Sequence, residues 1–173
     1  MADQGSPPDP SRRWVRLHGY SPAGNRPLPA DVYAEPGNAV FFTIRSYTGR
    51  PFLAADELCD RVIRELRESR EKDGCWVNAY CLMPDHIHFI AGVSKPGSSV
   101  LTFASHFKGR AAHGARELGH AGRLWQNKWY DHVLRKSESL IEIGKYILAN
   151  PVRAGLVESA EDWPWSGIMD EQR

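Results

Sequence analysis

Two histidines separated by a single residue are the side chains of this sequence that most directly suggest chemistry. His86 and His88 open an apolar, strand-like run. Because alternate side chains of a β-strand share a face, the two imidazoles are expected to point the same way. The opposite, apolar face is formed by Ile87, Phe89, Ala91 and Val93. Two neutral imidazoles on one face can hold one divalent cation, although two ligands do not complete a site. The alternative is a pair of strand histidines that face solvent.

The segments that precede the histidines predict a strand, a helix and a second strand. Residues 40–45 are rich in β-branched and aromatic side chains, and apolar positions from Asp56 towards Gly74 recur at helical spacing. Residues 75–82 form the second strand, in which strict alternation places one set of side chains on a common face: Cys75, Val77, Ala79 and Cys81. A short turn at Pro84 then makes the histidine strand an antiparallel neighbour, interior to the sheet.

The segments that follow complete a recognisable order of elements. A helix capped by Ser98 or Ser99 runs to about Leu118, a short strand covers residues 130–134, and a helix over residues 139–150 is closed by Pro151. The order β, α, β, β, α, β is that of the split βαβ, or ferredoxin-like, sandwich with an antiparallel sheet, an α+β fold. One face of this sheet stays open unless the C-terminal helix crosses it.

The C-terminal helix carries a polar stripe beside its apolar one. Tyr146 lies four residues after Glu142 and four before Asn150, so these three side chains share one side of the helix. A tyrosine hydroxyl and an amide oxygen can therefore reach the same point in space. The alternative is a half-buried tyrosine at the edge of a helix.

Length and composition predict one soluble domain. The 173 residues are 42% hydrophobic and 25% charged, and no apolar run is long enough for a membrane span or a signal peptide. Residues 1–37 hold seven of the twelve prolines and predict an extended or disordered arm, which leaves 38–173 as the domain. The three cysteines fit reduced, buried thiols. We expect a cytoplasmic protein.

The charge distribution suggests a flank that binds a polyanion. The net charge is +1, but residues 101–136 carry seven cationic side chains against two acidic ones. Lys108, Arg110 and Arg135 are the candidates for phosphate contacts. The tryptophans Trp125 and Trp129 could stack on unpaired bases, whereas Trp163 and Trp165 are better explained as anchors of the C-terminal segment.

Several ordered motifs together resemble the HUH single-tyrosine transposases, in particular the branch of REP-associated tyrosine transposases. The motifs run from Pro84-Asp85-His86-Ile87-His88 through Leu124-Trp125-Gln126, 130–135 and 146–157 to Trp163-Pro164-Trp165-Ser166. The resemblance implies a family that cuts single-stranded DNA near hairpins with a tyrosine nucleophile and a divalent metal. It implies a 5′-phosphotyrosine intermediate and a partner that is single-stranded or hairpin DNA.

Residue by residue, the resemblance assigns the chemistry to four positions. His86 and His88 match the metal-binding histidines, Tyr146 matches the nucleophile, and Asn150 matches the position that completes the metal shell. Tyr130 is the competing nucleophile. Mg²⁺ or Mn²⁺ suits two imidazoles, an amide oxygen and phosphate oxygens. The sequence departs from the family pattern in two places. Asp85 stands where relatives often have asparagine, and the family pattern does not explain the proline-rich arm.

Two other functions compete with a DNA strand transferase. The ferredoxin-like sheet also serves RRM-like modules that bind single-stranded nucleic acid without catalysis, but such modules display aromatic side chains where this strand has histidines. A simple metallohydrolase would need more carboxylates or histidines than the pattern supplies. The hairpin sequence, the choice between monomer and homodimer, and whether the protein mobilises its own element stay open.

Overall fold

Five strands form one antiparallel sheet in residues 28–49 and 55–171, the part of the chain that the computed structural model describes. In chain order they are β1 (Val40–Arg45), β2 (Cys75–Met83), β3 (His86–Val93), β4 (Tyr130–Val133) and β5 (Ser166–Ile168). Their spatial order is β4-β1-β3-β2-β5, and every neighbouring pair is antiparallel. The histidine strand β3 is therefore interior to the sheet, as predicted.

Four α-helices accompany the sheet in these residues: α1 (Asp56–Lys72), α2 (Val100–Glu117), α3 (Leu140–Leu148) and α4 (Asn150–Arg153). Serine side chains cap α2 and α3, since Ser99 Oγ accepts from the Leu101 N–H and Ser139 Oγ from the Glu142 N–H. The order β1-α1-β2-β3-α2-β4 confirms the ferredoxin-like fold. The short edge strand β5 was not predicted.

The two faces of the sheet are covered by different helices. Helices α1 and α2 pack on one face, where they bury the predicted apolar set of β3: Ile87, Phe89, Ala91 and Val93. Helix α3 packs on the other face through Ile143 and Ile147, which join Phe41 and Ile90 in a second, smaller cluster. The C-terminal helix therefore crosses the sheet and closes the face that would otherwise be open.

The predicted alternation along β2 is wrong for half of the strand. Val77 pairs with Ala91, but the next register pair is Tyr80 with Phe89, so β2 carries one extra residue in a β-bulge. An extra residue reverses the face of every side chain beyond it. Cys75 and Val77 consequently face α1 and α2, whereas Ala79 and Cys81 face α3.

Pro151 does not close the last helix, contrary to the prediction. Helix α3 ends at Leu148, and after Ala149 the chain continues as α4 with Pro151 as its second residue. A proline is tolerated in a first helical turn because its missing N–H has no intrahelical partner there. The backbone stays connected across the junction, since the Arg153 N–H donates to the Ala149 carbonyl at 3.0 Å.

Part of the predicted N-terminal arm packs on the domain. Residues 1–27 lie outside the described residues, but Ala30–Tyr33 form a 3₁₀ turn. Tyr33 is buried, and its hydroxyl donates to Asp131 Oδ2 at 2.6 Å. The three cysteines are buried free thiols, as predicted. None of the helices in residues 28–49 and 55–171 combines the length and the apolar character needed to cross a membrane.

Candidate active site

The two histidines are buried under helix α3. His86 is 3% exposed and His88 is 0% exposed. They project from the first residues of β3, opposite Arg45 and Thr43 of β1, and the His88 ring stacks on Phe41 with the centroids 5.3 Å apart. The alternative interpretation of solvent-facing strand histidines is therefore wrong, because the C-terminal helix covers their face.

Each imidazole has a partner on both ring nitrogens. The Nε2 atoms of His86 and His88 lie 3.0 Å apart and face each other. His86 Nδ1 lies 2.6 Å from Asp85 Oδ1, and His88 Nδ1 lies 2.9 Å from Thr43 Oγ1. The Nδ1 contacts fix the orientation of both rings, so that the two Nε2 atoms converge on one point.

The convergence of the two Nε2 atoms fits a shared cation. Two imidazole nitrogens bound at right angles to one ion, each about 2.1 Å from it, lie about 3 Å apart. The outer contacts to Asp85 and Thr43 are of the kind that orient metal-binding histidines. Residues 28–49 and 55–171 contain no group of three His, Cys, Asp or Glu side chains placed to hold a metal. Further ligands would have to be an amide, water or phosphate oxygens.

Burial keeps His88 in the form that binds metals. Its pKa is held well below the usual value, first by burial and then by the electrostatic effect of the neighbouring His86 and Arg45. A neutral imidazole offers its lone pair to a cation. For the Asp85 carboxyl, burial raises the pKa, but the hydrogen bond to His86 and the nearby Arg45 outweigh it, so the net pKa is lowered. Asp85 is thus a carboxylate that orients the His86 ring.

Helix α3 lies close to strand β2 at Gly144. A Cβ on Gly144 would stand 3.6 Å from both Ala79 Cβ and Asn78 Oδ1, which is ordinary contact distance. On either side of this position, Ile143 and Ile147 anchor the helix in the small cluster. The same face carries Tyr146, which is half-buried against that cluster. Tyr146 therefore lies on the helix that covers the face of the sheet carrying the two histidines.

Arg153 of α4 contacts the candidate nucleophile. Its Cζ lies 4.3 Å from the centroid of the Tyr146 ring, in a cation–π arrangement. The charge of Arg153 also contributes to lowering the pKa of His88, after burial and the charges of His86 and Arg45. Arg153 is therefore in contact with the ring of the candidate nucleophile.

Asn150 has a structural role that its predicted function did not include. Its Nδ2 donates to the carbonyls of Ile147 at 3.0 Å and Tyr146 at 3.2 Å, and its side chain is buried. The Ile147 carbonyl would normally accept from the residue four positions later, which is Pro151 and has no N–H. Asn150 supplies the donor that the proline lacks. Its amide oxygen as a metal ligand stays a prediction.

The three predicted phosphate-binding residues are not gathered at the histidines. Lys108 Nζ donates to the carbonyls of Gln126 at 2.7 Å and Asn127 at 2.9 Å, and burial, followed by the charge of Arg123, lowers its pKa. Arg110 pairs with Asp73 at 3.1 Å. Both belong to α2, on the opposite face of the sheet. Arg135 follows β4 and is exposed, and its contact with a phosphate stays a prediction.

The tryptophans of the described residues make contacts within the domain and do not present free rings on which bases could stack. Trp163 Nε1 donates to the Leu82 carbonyl at 2.9 Å, and Trp165 Nε1 donates to Asp60 Oδ1 at 3.2 Å. These bonds confirm that the two anchor the C-terminal segment. Trp125 is buried, and Trp129 lies 4.9 Å beneath Lys108 Nζ.

Sequence reasoning missed Thr43, Asp85 and Arg153 as parts of the site. Thr43 is brought to His88 by strand pairing, for which a single sequence carries no signal. A signal did exist for Arg153, since it lies seven residues after Tyr146, two helical turns along the same stripe. Asp85 adjoins His86 in sequence, but its contact depends on the turn between β2 and β3.

Two proteins with related sequences carry the same name. A REP-associated tyrosine transposase of Escherichia coli K12 is 24% identical over 135 residues, which cover 75% of this chain and 76% of that protein. One from Haemophilus influenzae is 28% identical over 100 residues, which cover 52% of this chain. The match spans 57% of the length of the H. influenzae protein.

Solved structures share the fold. A REP-associated tyrosine transposase bound to a REP hairpin superposes with a TM-score of 0.66 at 22% identity, covering 83% of this chain and 82% of that one. A transposase from Deinococcus radiodurans gives 0.50 at 22% identity, covering 63% of this chain and 87% of that one. The family model of IS200-like transposases matches residues 43–150, from the Thr43 that supports His88 to Asn150. This chain therefore belongs to the IS200-like transposase family.

Proposed function

We propose that this protein is a DNA strand transferase that cuts single-stranded DNA near hairpins through a covalent bond to Tyr146. The observation that carries the proposal is the pair of buried imidazoles whose Nε2 atoms converge at 3.0 Å beneath the helix that bears Tyr146. Hairpin DNA as the substrate is supported by the structural neighbour bound to a REP hairpin.

In the proposed reaction, the Tyr146 oxygen attacks a backbone phosphorus. The new bond joins that oxygen to phosphorus, and the bond from phosphorus to the 3′ oxygen breaks. The phenolic proton passes to solvent and the released 3′ oxygen takes a proton, so the products are a 5′-phosphotyrosine and a free 3′-hydroxyl. No water is consumed, and the phosphoester linkage is kept for rejoining to another end.

A divalent cation is part of the proposal. His86 and His88 would hold Mg²⁺ or Mn²⁺, with Asn150 as the candidate for a further ligand. When bound, such an ion polarises the phosphate and makes it a better electrophile. The chain itself keeps His88 neutral by burial and orients the two rings through Asp85 and Thr43.

The structure disfavours the competing RRM-like binder. Such a module stacks bases on aromatic rings exposed on its central strands. In the described residues the face that carries the histidines is covered by α3, and Phe41 of the central strand β1 is buried. Bases have no exposed aromatic ring to stack on there, which counts against an RRM-like mode of binding.

The test is formation of a covalent adduct with a DNA hairpin. A single-stranded hairpin oligonucleotide with a 3′ label is incubated with the protein and Mg²⁺ or Mn²⁺, then resolved on a denaturing gel. The label must be 3′ because the tyrosine retains the fragment downstream of the cut. We expect a labelled band at protein mass that EDTA prevents, with the nucleotide mapped to Tyr146 by peptide mass spectrometry.

Tyr146→Phe and Tyr130→Phe form the matched pair of variants. Each removes one hydroxyl from a tyrosine beside the small cluster. We expect Tyr146→Phe to lose the adduct entirely while it still binds the hairpin, and Tyr130→Phe to retain it. An adduct that survives in Tyr146→Phe, or that maps to Tyr130, would make the strand tyrosine the nucleophile.

A further inference from the structure

The last residue of α4 is Arg153, whose side chain packs on an aromatic ring and is otherwise exposed to solvent. Arg153 is exposed, yet its guanidinium lies 4.3 Å over the Tyr146 ring. The helical hydrogen bonds from the Arg153 N–H to Ala149 and from the Ala154 N–H to Asn150 hold the backbone across the Pro151 junction. The arginine is therefore carried by a rigid segment and not by a loop.

The charge of Arg153 is not neutralised by a carboxylate within residues 28–49 and 55–171. Four arginines of the described residues form ion pairs with carboxylates: Arg45 with Asp85, Arg61 with Glu65 and Glu117, Arg70 with Asp170 and Arg110 with Asp73. The contact of Arg153 is the face of a neutral aromatic ring. A guanidinium has five N–H donors, and a cation–π contact uses none of them.

The guanidinium lies beside the side chain of the proposed nucleophile. It lies over the Tyr146 ring, which packs against the same small cluster as Phe41, and the Phe41 ring stacks on His88. An anion that approached both the phenol oxygen and the histidine pair would thus come close to Arg153. A phosphodiester is such an anion, and the planar guanidinium matches two of its oxygens.

We propose that Arg153 is a catalytic residue whose guanidinium binds a non-bridging oxygen of the scissile phosphate while its flat face holds the Tyr146 ring. The inference rests on the proposed function, since it names a further group for that reaction. As the phenol oxygen attacks, negative charge grows on the non-bridging oxygens, and a fixed cation beside them stabilises that charge. Arg153 stays protonated throughout and forms no covalent bond.

The experiment compares Arg153→Gln and Arg153→Lys with Arg116→Gln. Arg116 is exposed on α2, on the far side of the sheet, and forms no ion pair in the described part of the chain, which makes it a matched control. For each protein, the affinity for a single-stranded hairpin is measured over a series of salt concentrations. The single-turnover rate of adduct formation is measured at saturating protein, so that weaker binding does not lower it.

We expect Arg153→Gln to change both quantities. Loss of one phosphate contact makes hairpin binding less dependent on salt. The slope of log K against log salt is negative, and its magnitude should decrease by roughly 0.7 to 0.9. Loss of a donor to the developing charge lowers the adduct rate about 100-fold or more. Arg153→Lys should restore the slope but only part of the rate, because an ammonium lacks the planar fork. Arg116→Gln should match the wild type in both.

The two readouts separate this inference from the proposed function. An unchanged slope in Arg153→Gln overturns the phosphate contact, whatever the rate does, and leaves Arg153 as a support for the tyrosine ring. If the wild-type protein forms no adduct at all, the strand-transfer function fails, and the slope still decides whether Arg153 binds phosphate. A lowered slope together with a slowed adduct supports the inference.

Discussion

The two faces of the sheet are equally buried, but one is lined by apolar side chains and the other carries polar ones. On the face covered by α1 and α2, Phe89 lies in a cluster of aromatic rings at centroid distances of 5.0 Å to Phe42, 5.8 Å to Phe103 and 5.9 Å to Phe107. On the face covered by α3, the adjacent residue His88 is just as buried, but it lies among polar partners.

This contrast shows what each face contributes. Burying apolar rings stabilises the fold without any need for partners, whereas a buried imidazole costs free energy unless its nitrogens are hydrogen-bonded. The face under α3 meets this cost with contacts of the imidazole nitrogens to Thr43, to Asp85 and to each other. One face therefore supplies stability, and the other holds polar groups in fixed positions for chemistry.

The largest loss of stability should come from the apolar face. Phe89→Ala removes a fully buried ring, and we expect the free energy of unfolding to fall by about 3–5 kcal/mol. Urea denaturation followed by circular dichroism measures it. Leu156→Ala, at an exposed leucine, is the control and should change stability by less than about 0.5 kcal/mol. A loss under about 1.5 kcal/mol for Phe89→Ala would contradict the division of roles.

His88→Ala should affect both stability and metal binding. His88 is fully buried, so its replacement should lower the stability of the fold as well as the affinity for a metal. We expect a loss of about 1–3 kcal/mol, since the Thr43 hydroxyl loses its buried partner. We also expect Mn²⁺ to raise the melting temperature of the wild type and not of the variant.

His113→Ala is the control for this experiment. The side chain of His113 is 64% exposed on α2, away from the pair. Its removal should leave both the stability and the Mn²⁺ response unchanged. If His88→Ala responded to Mn²⁺ as the wild type does, the metal would have to lie elsewhere.

Asn150 offers a way to separate a structural role from a ligand role. Asn150→Ala and Asn150→Asp both remove the donor to the Ile147 carbonyl, so each should lose about 1–2 kcal/mol in urea denaturation. Only aspartate keeps an oxygen for a cation, so the Mn²⁺ response should weaken in Asn150→Ala and persist in Asn150→Asp. Wild-type stability in both variants would show that the bond to Ile147 is dispensable.

The smallest effect is expected at Lys108, on the helical layer. Lys108→Met removes two bonds to the carbonyls of Gln126 and Asn127, and we expect a loss of about 1 kcal/mol. The salt dependence of hairpin binding should not change, because the ammonium is already engaged within the chain. Arg135→Gln, at an exposed arginine, is the comparison and should lower the slope. The reverse result would place the DNA on the helical layer.

The sequence by itself determined the elements and most of their faces. Strand and helix periods are local properties, so β3 could be split into a histidine face and an apolar face, and the order of elements led to the ferredoxin-like sheet. The stripe from Tyr146 to Asn150 is local in the same sense. These predictions depend only on the periodicity of a strand or a helix, which a short segment of sequence is enough to show.

Only the tertiary structure decided what surrounds those side chains. The bulge in β2 reversed half of that strand, the helix across the sheet buried the histidines, and strand pairing brought Thr43 to His88. Arg153 reached Tyr146 because α4 continues past Pro151. Each of these contacts joins residues whose approach depends on how whole elements pack, and packing is set by the combined shape of many side chains, which no local pattern records.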